Sequence, residues 1–255
     1  MAKSPQRSLR HEYELYIEEE IETYKDSLPR TALLKIGDEA VASLRGEQQL
    51  ALTELVVWEE VDRIIKQRLR IPAYSTWRRR RVKLLEELRR PEHWGLRPDS
   101  VLAREVRPPA ESHVLVSGDT GDRAALYLAA QGYAVHAVDH DVVERVMSAA
   151  EAAGLTDRVR GYTADLRQWT PEVSLSAVVC TPSAFAGLTK VERLKVIELL
   201  QGATHEGGIH LLDADMGTQG TALLKELSLQ YKGWKISVEE AEGEPRSFLA
   251  RKGAA

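Results

Sequence analysis

The sequence predicts an α/β protein: a doubly wound, mostly parallel sheet of seven strands, preceded by an all-α region. Three observations carry that prediction. Residues 113 to 141, HVLVSGDTGDRAALYLAAQGYAVHAVDHD, read as strand, tight turn, helix and strand. Beyond them short apolar strands keep alternating with helical stretches, and the chain closes on two strands joined as a hairpin. Ahead of them lie four stretches with apolar residues at helical spacing.

Taken in order, Ser8 to Ser27 carries Tyr13, Tyr16, Ile17, Ile21 and Tyr24 on one side of a Glu-rich helix that Pro29 stops. Thr31 to Leu44 places Leu33, Leu34, Ile36, Val41 and Leu44 on one broad face. Gln48 to Arg70 repeats apolar residues from Leu52 to Leu69 and ends before Pro72, and Tyr74 to Arg90 ends at Pro91. Four helices with short connections suggest a small bundle or a helical cap. A carboxylate-bridged metal site in such a bundle needs paired ExxH motifs, and this region contains none. Arg78, Arg79, Arg80 and Arg81 form a basic run that suits phosphate oxygens of nucleic acid, or equally a solvated helix face balanced by Glu86 and Glu87. Trp58, Trp77 and Trp94 are read as core. The expected division is a helical region at 1–90, a join at 91–111 and an α/β domain at 112–255. The join holds four prolines and little periodicity, as a linker or an extended segment over the sheet would.

The chemistry concentrates at the carboxyl edge of the first two strands. His113 to Ser117 is the first strand, Gly118 to Asp122 the turn, Ala124 to Ala130 the helix, and Tyr133 to Val138 the second strand, ending on Asp139. In a parallel sheet that turn and that acid lie side by side, where folds of this kind bind nucleotide-like ligands. Gly118 and Gly121 allow close backbone approach, and a carboxylate such as Asp139 can accept hydrogen bonds from both hydroxyls of a ribose.

Onward, Val142 to Ala153 is a helix, Val159 to Ala164 a strand reaching Asp165, and Leu175 to Cys180 a fourth strand. Thr189 to Thr204 is a helix, and HEGGIHLLDAD turns tightly at Gly207-Gly208 into a fifth strand. Thr221 to Tyr231 is again helical, and Trp234 to Glu240 and Ser247 to Arg251 are the closing strands.

These residues resemble the cofactor-binding unit of class I S-adenosylmethionine-dependent methyltransferases of the small-molecule, tellurite and thiopurine type, whose typical run is VLDLGCGTGRDALYLAERGYEVTAVD. Gly118 takes the first glycine, Arg123 the arginine, Ala125 to Ala129 the ALYLA helix, and Asp139 the ribose-binding acid. Ala164-Asp165-Leu166-Arg167 is similar to the family's adenine-binding GDLRD, and HEGGIHLLDAD to its LKPGGxLLLVD. The resemblance covers residues 112 to 252 and implies a Rossmann-like methyltransferase sheet. It implies S-adenosylmethionine as cofactor, held by Gly118, Asp119, Thr120, Gly121, Asp139, His140, Asp165, Leu166 and Thr181. The loop departs from the pattern. Val116 stands where the family has an acid, Thr120 and Asp122 replace two glycines, and Asp119 adds a charge beside the expected methionine carboxylate.

Gly118, Gly121 and Ala124 also fit the GxxGxxA spacing of short-chain dehydrogenase-like nicotinamide folds. Only about ten residues separate Asp165 from the fourth strand, short for the crossover such a fold has there. Tyr231 and Lys235 have the catalytic spacing, but Gly233 lies between them where a strand begins.

Composition bounds the remainder. The 255 residues, 43% hydrophobic and 29% charged, describe an ordinary globular protein with one large or two modest domains. A formal charge of -4 predicts no general affinity for nucleic acid. Cys180 is the only cysteine, so no internal disulfide forms, and with no apolar run near the roughly 20 residues of a membrane span the expectation is a cytoplasmic protein. His113, His136 and His210 are expected as satisfied core histidines, and Cys180 as a small apolar residue. Three functions stay open: methyl transfer to a small molecule, a methyltransferase-like scaffold that has lost catalysis, and an RNA-directed enzyme using the arginine face. No catalytic residue follows from the sequence, because transfer from a sulfonium needs little beyond in-line approach.

Overall fold

A computed structural model describes residues 8–45, 54–109, 111–119, 121–213, 226–241 and 244–253. Thr120 and the first five residues of the helix expected at 221–231 lie outside them; residues 226–230 are helical. The chain divides into two compact units, 1–84 and 85–255.

The first unit is helical: α1 (Leu9–Ser27), α2 (Arg30–Arg45), α3 (Glu54–Arg68) and most of α4 (Tyr74–Leu88). Ser8 caps α1 by accepting the His11 N–H, a stabilising use of a short hydroxyl side chain. Ile21, Ile36, Ala40, Val61, Ile64 and Ile65 form the core of this unit, at positions the apolar periodicity marks or adjoins. Tyr13, Tyr16, Tyr74 and Trp77 pack ring on ring, and the Tyr13 hydroxyl donates to the Pro72 carbonyl at 2.8 Å. Trp58 corrects an expectation: it is 45% exposed, beneath the Lys25 ammonium, because its side of α3 faces solvent.

The second unit is built on one sheet in the order β3-β2-β1-β4-β5-β7-β6. Its strands are β1 (His113–Ser117), β2 (Ala134–Val138), β3 (Val159–Tyr162), β4 (Leu175–Cys180), β5 (Thr204–Asp213), β6 (Trp234–Ala241) and β7 (Glu244–Lys252). The first five pair in parallel, while β7 runs antiparallel to both β5 and β6. This is the doubly wound, seven-stranded architecture that the alternation of elements predicts.

Both faces of the central strands are covered, which is why β1, β2 and β4 read as mainly apolar runs. Val114, Val116, Val135 and Ala137 face a cluster with α6 (Gly121–Gln131) and α7 (Val143–Ala152). Leu115, Val138, Val178 and Cys180 face one with α8 (Lys190–Ala203). The alanines of α6 are all buried, so the helix lies close on the sheet. Gly161 of β3 has the same origin, since a Cβ there would come within 2.5 Å of Val143 on α7.

Within the join expected at 91–111, residues 91–94 and 101–105 are helical. The second of these is α5 (Val101–Glu105), capped by the Ser100 hydroxyl, and Leu102, Ala103 and Val106 are buried in the core beside β1. Arg104 pairs with Glu239 and Arg251 with Glu105, joining α5 to the antiparallel strands. Prolines bracket this short helix, and five residues are too few to show a period.

Candidate functional site

β1 is flanked by β2 on one side and β4 on the other, so the chain winds in opposite directions from it. The carboxyl ends of these strands form the crevice where such sheets take ligands. Three connections meet there: the turn after β1, the segment after β2 and the segment after β4.

The turn after β1 begins at Gly118, whose φ of 108° is one that side chains rarely adopt. Its carbonyl accepts the Gly121 N–H at 2.9 Å, closing the turn into the first residue of α6. Gly121 sits against Val116, where a Cβ would approach Cγ1 to 3.2 Å. Gly118 is thus required by its backbone geometry, and Gly121 fits closely against the strand. The Gly118 N–H points across to β2 and donates to Asp139 Oδ2 at 3.1 Å. The other oxygen of Asp139 accepts from the N–H groups of Asp141 at 2.8 Å and Val142 at 3.2 Å, fixing the approach to α7. A carboxylate has about four acceptor positions. With three in use, Asp139 can take one ribose hydroxyl directly and a second by exchange with the Gly118 N–H.

Asp119 turns the opposite way, toward β4. Its Oδ1 accepts from Thr181 Oγ1 at 2.8 Å and from Ser183 Oγ at 2.9 Å, while its N–H donates to Ser183 Oγ at 2.8 Å. The two hydroxyl oxygens are 2.8 Å apart. Thr181 also extends the β1–β4 ladder, its N–H donating to the Ser117 carbonyl at 3.0 Å. The result is a clasp across the switch point. It fills the open side of the glycine turn, because a Cβ on Gly118 would fall 2.0 Å from Thr181 Oγ1.

The other expected residues separate. His140 is exposed beyond Asp139. The Leu166 side chain lies in the core with Trp169. Asp165 is engaged by Arg167, at 2.6 Å to Nη2 and 3.1 Å to Nε, and by the N–H groups of Arg167 and Gln168. The Arg167 hydrogen bonds hold its carboxyl below the usual carboxylate range. Asp122 stands in the first turn of α6 with Arg145 at 3.8 Å. Sequence reasoning noted Ser183 only as following the fourth strand with Thr181, and missed Arg145. Ser183 sits past β4, and Arg145, from α7, donates to the Asp119 and Asp141 carbonyls at 3.3 and 3.4 Å.

A hollow of about 10 Å³, partly open to solvent, adjoins Gly118, Asp139 and Val142. Sites that bury most of a ligand of drug size span roughly 300–1,000 Å³. An adenosyl group would therefore lie over the strand tips, with its ribose at Asp139. The residues present fit that end of S-adenosylmethionine, while beside it Thr181 and Ser183 bond to Asp119.

Three buried groups are structural. His210 is bonded through both ring nitrogens, to Thr204 Oγ1 and to the Tyr231 hydroxyl, each at 2.7 Å. Thr204 Oγ1 also donates to the Leu200 carbonyl at 2.7 Å, so His210 carries its proton on Nε2 and accepts from Tyr231. His136 lies between His113 at 3.1 Å and the Tyr162 hydroxyl at 3.3 Å. Burial pushes the Cys180 thiol up to about 12, leaving it inert. In the helical unit Arg81 is paired with Glu12 at 3.2 Å, while Arg78, Arg79 and Arg80 are exposed. Among the described residues no helix is long and apolar enough to cross a membrane.

No protein-family model matches the chain, and no curated protein does. Solved structures do. TehB from Haemophilus influenzae is 22% identical over 59% of this chain, with a TM-score of 0.45. A TehB-like SAM-dependent methyltransferase from Corynebacterium glutamicum is 17% identical over 72% of this chain and 100% of its own, with a TM-score of 0.46. The N-methyltransferase NodS from Bradyrhizobium japonicum is 12% identical over 69% of this chain and 96% of its own, with a TM-score of 0.43. The match spans 59% of the TehB chain. Methyltransferases of this kind are what the chain is similar to. The chemistry rests on the residues.

Proposed function

We propose that the chain is an S-adenosylmethionine-dependent methyltransferase acting on a small molecule. The observation that carries this reading is the meeting of Asp139, at the tip of β2, with the glycine turn after β1. A carboxylate fixed there accepts ribose hydroxyls, and the turn leaves the backbone close to the ligand. The bound cofactor would supply an electrophilic methyl group on sulfur. The protein's part is then to hold the adenosyl end at Asp139 and present the acceptor in line, a contribution made by proximity rather than by a dedicated base.

Titration calorimetry with S-adenosylmethionine and S-adenosylhomocysteine tests the proposal. The expected outcome is micromolar binding of both, weakened at least tenfold in Asp139→Ala. One observation favours a second reading, that of a methyltransferase-like scaffold: the Asp119 clasp fills the loop's open side with the protein's own groups. Absence of heat from either ligand would decide for that scaffold.

A further inference from the structure

The sheet ends in two edge strands of different kinds. β3 has four residues, and so short an edge offers little backbone for another strand. β6 has eight, beyond the usual strand of about five or six, and only one of its sides is taken, by β7. Its pairing with β7 is regular from Trp234 to Glu239, and the register shifts after it. Along this run the side chains alternate. Trp234 and Ile236 pack against the core on one face, and Val238 follows them at 41% exposure. Lys235, Ser237 and Glu239 lie exposed on the other. Lys235 has no carboxylate partner among the described residues, and Glu239 meets Arg104 through Oε1. Charges on an edge strand usually repel a second strand. Here they have opposite signs and stand at equal distances on either side of Ser237.

The geometry points to β6 as the interface with a second copy of this chain, the two strands pairing antiparallel about Ser237 so that the sheets continue into one. A two-fold axis through such a pair keeps every side chain on its own face, so one residue must stand opposite its own copy. With Ser237 at the axis, Lys235 stands opposite the partner's Glu239 and Glu239 opposite the partner's Lys235, two cross-strand pairs of opposite charge. On the other face Ile236 stands opposite the partner's Val238, which covers the exposed valine. Moving the axis to Ile236 or Val238 sets Lys235 or Glu239 against Ser237 and loses both charge pairs. The strand's own charges thus select one register of self-pairing, while the backbone of the open edge supplies the hydrogen bonds.

Sedimentation velocity on the full chain should show a dimer with a dissociation constant on the order of 10 μM. Lys235→Glu sets like charges opposite each other twice, as does Glu239→Lys, and each should weaken the dimer at least tenfold. Mixed in equal amounts, the two variants face each other with opposite charges and should associate within about threefold of the wild type. Mixing cannot repair a misfolded chain, so that recovery reads the interface alone. A second measurement uses the axis. Ser237→Cys places two thiols face to face, and mild oxidation should crosslink the dimer, whereas Lys232→Cys, exposed but far from the axis, should not crosslink. The native Cys180 is buried and does not compete. A wild type that stays monomeric at about 300 μM overturns the inference. So does a dimer indifferent to Lys235→Glu, a mixture that fails to recover, or equal crosslinking of the two cysteine variants.

Discussion

At the scale of single residues, the site turns on one contact that no local pattern encodes. Gly118 has a φ of 108° and its missing Cβ leaves the space that Thr181 Oγ1 fills. Gly118→Ala therefore carries two penalties, a strained backbone and a clash. Together they should lower stability by about 1–3 kcal/mol, read from denaturant midpoints. Thr181→Ala removes the closest contact but leaves Ser183 Oγ at 2.9 Å and the strain, so the double variant should recover part of the loss. A coupling near zero in that cycle would show that the two residues do not meet. The glycine was legible in the sequence because a turn between a buried strand and a helix demands one. The clasp was not. Asp119 lies 62 residues from Thr181 and 64 from Ser183, and only the pairing of β1 with β4 unites them. The partners of Asp165 and Leu166 were equally hidden: the motif marks the two residues, but not that Arg167 holds the acid or that the leucine packs in the core.

At the scale of elements, legibility followed burial. Strands covered on both faces appear as continuous apolar runs, and β1 and β4 occupy the positions their runs mark. The α8 helix announces itself through Thr189 and Glu192, which cap its first turn reciprocally. The α5 helix had no such signal, since one turn flanked by prolines cannot establish a period, yet Leu102 is 1% exposed. Leu102→Ala should then destabilise the protein by about 2–5 kcal/mol, the range for truncating a core leucine. A change within about 0.5 kcal/mol, as an exposed position gives, would return residues 91–111 to the role of a linker.

At the scale of the whole molecule, the pH response follows from which groups are buried uncharged. His136 is pushed down to about 4, by burial first and then by His113 and Arg160, and His210 down to about 3, by burial and then by Lys252. Both are neutral when folded at pH 5, whereas unfolded they protonate below the ordinary histidine value of about 6.5. Between about pH 6.5 and 4 the unfolded chain thus binds more protons, and stability falls as pH falls. Each histidine contributes a slope of up to about 1.4 kcal/mol per pH unit, with His210 acting to lower pH. Glu60 in the helical unit has the opposite origin: its hydrogen bonds from Arg63 hold its carboxyl at about 2. Its contribution is present above about 4.5 and is lost on acidification through the range below it. Denaturant unfolding followed from pH 7 to 4 should therefore weaken first through the histidines of the sheet unit. Replacing His136 with Phe should remove about one proton's share of the slope, and His210→Phe another. A slope unchanged in both variants would mean that these histidines are charged or solvated in the folded protein, contrary to their place in its core.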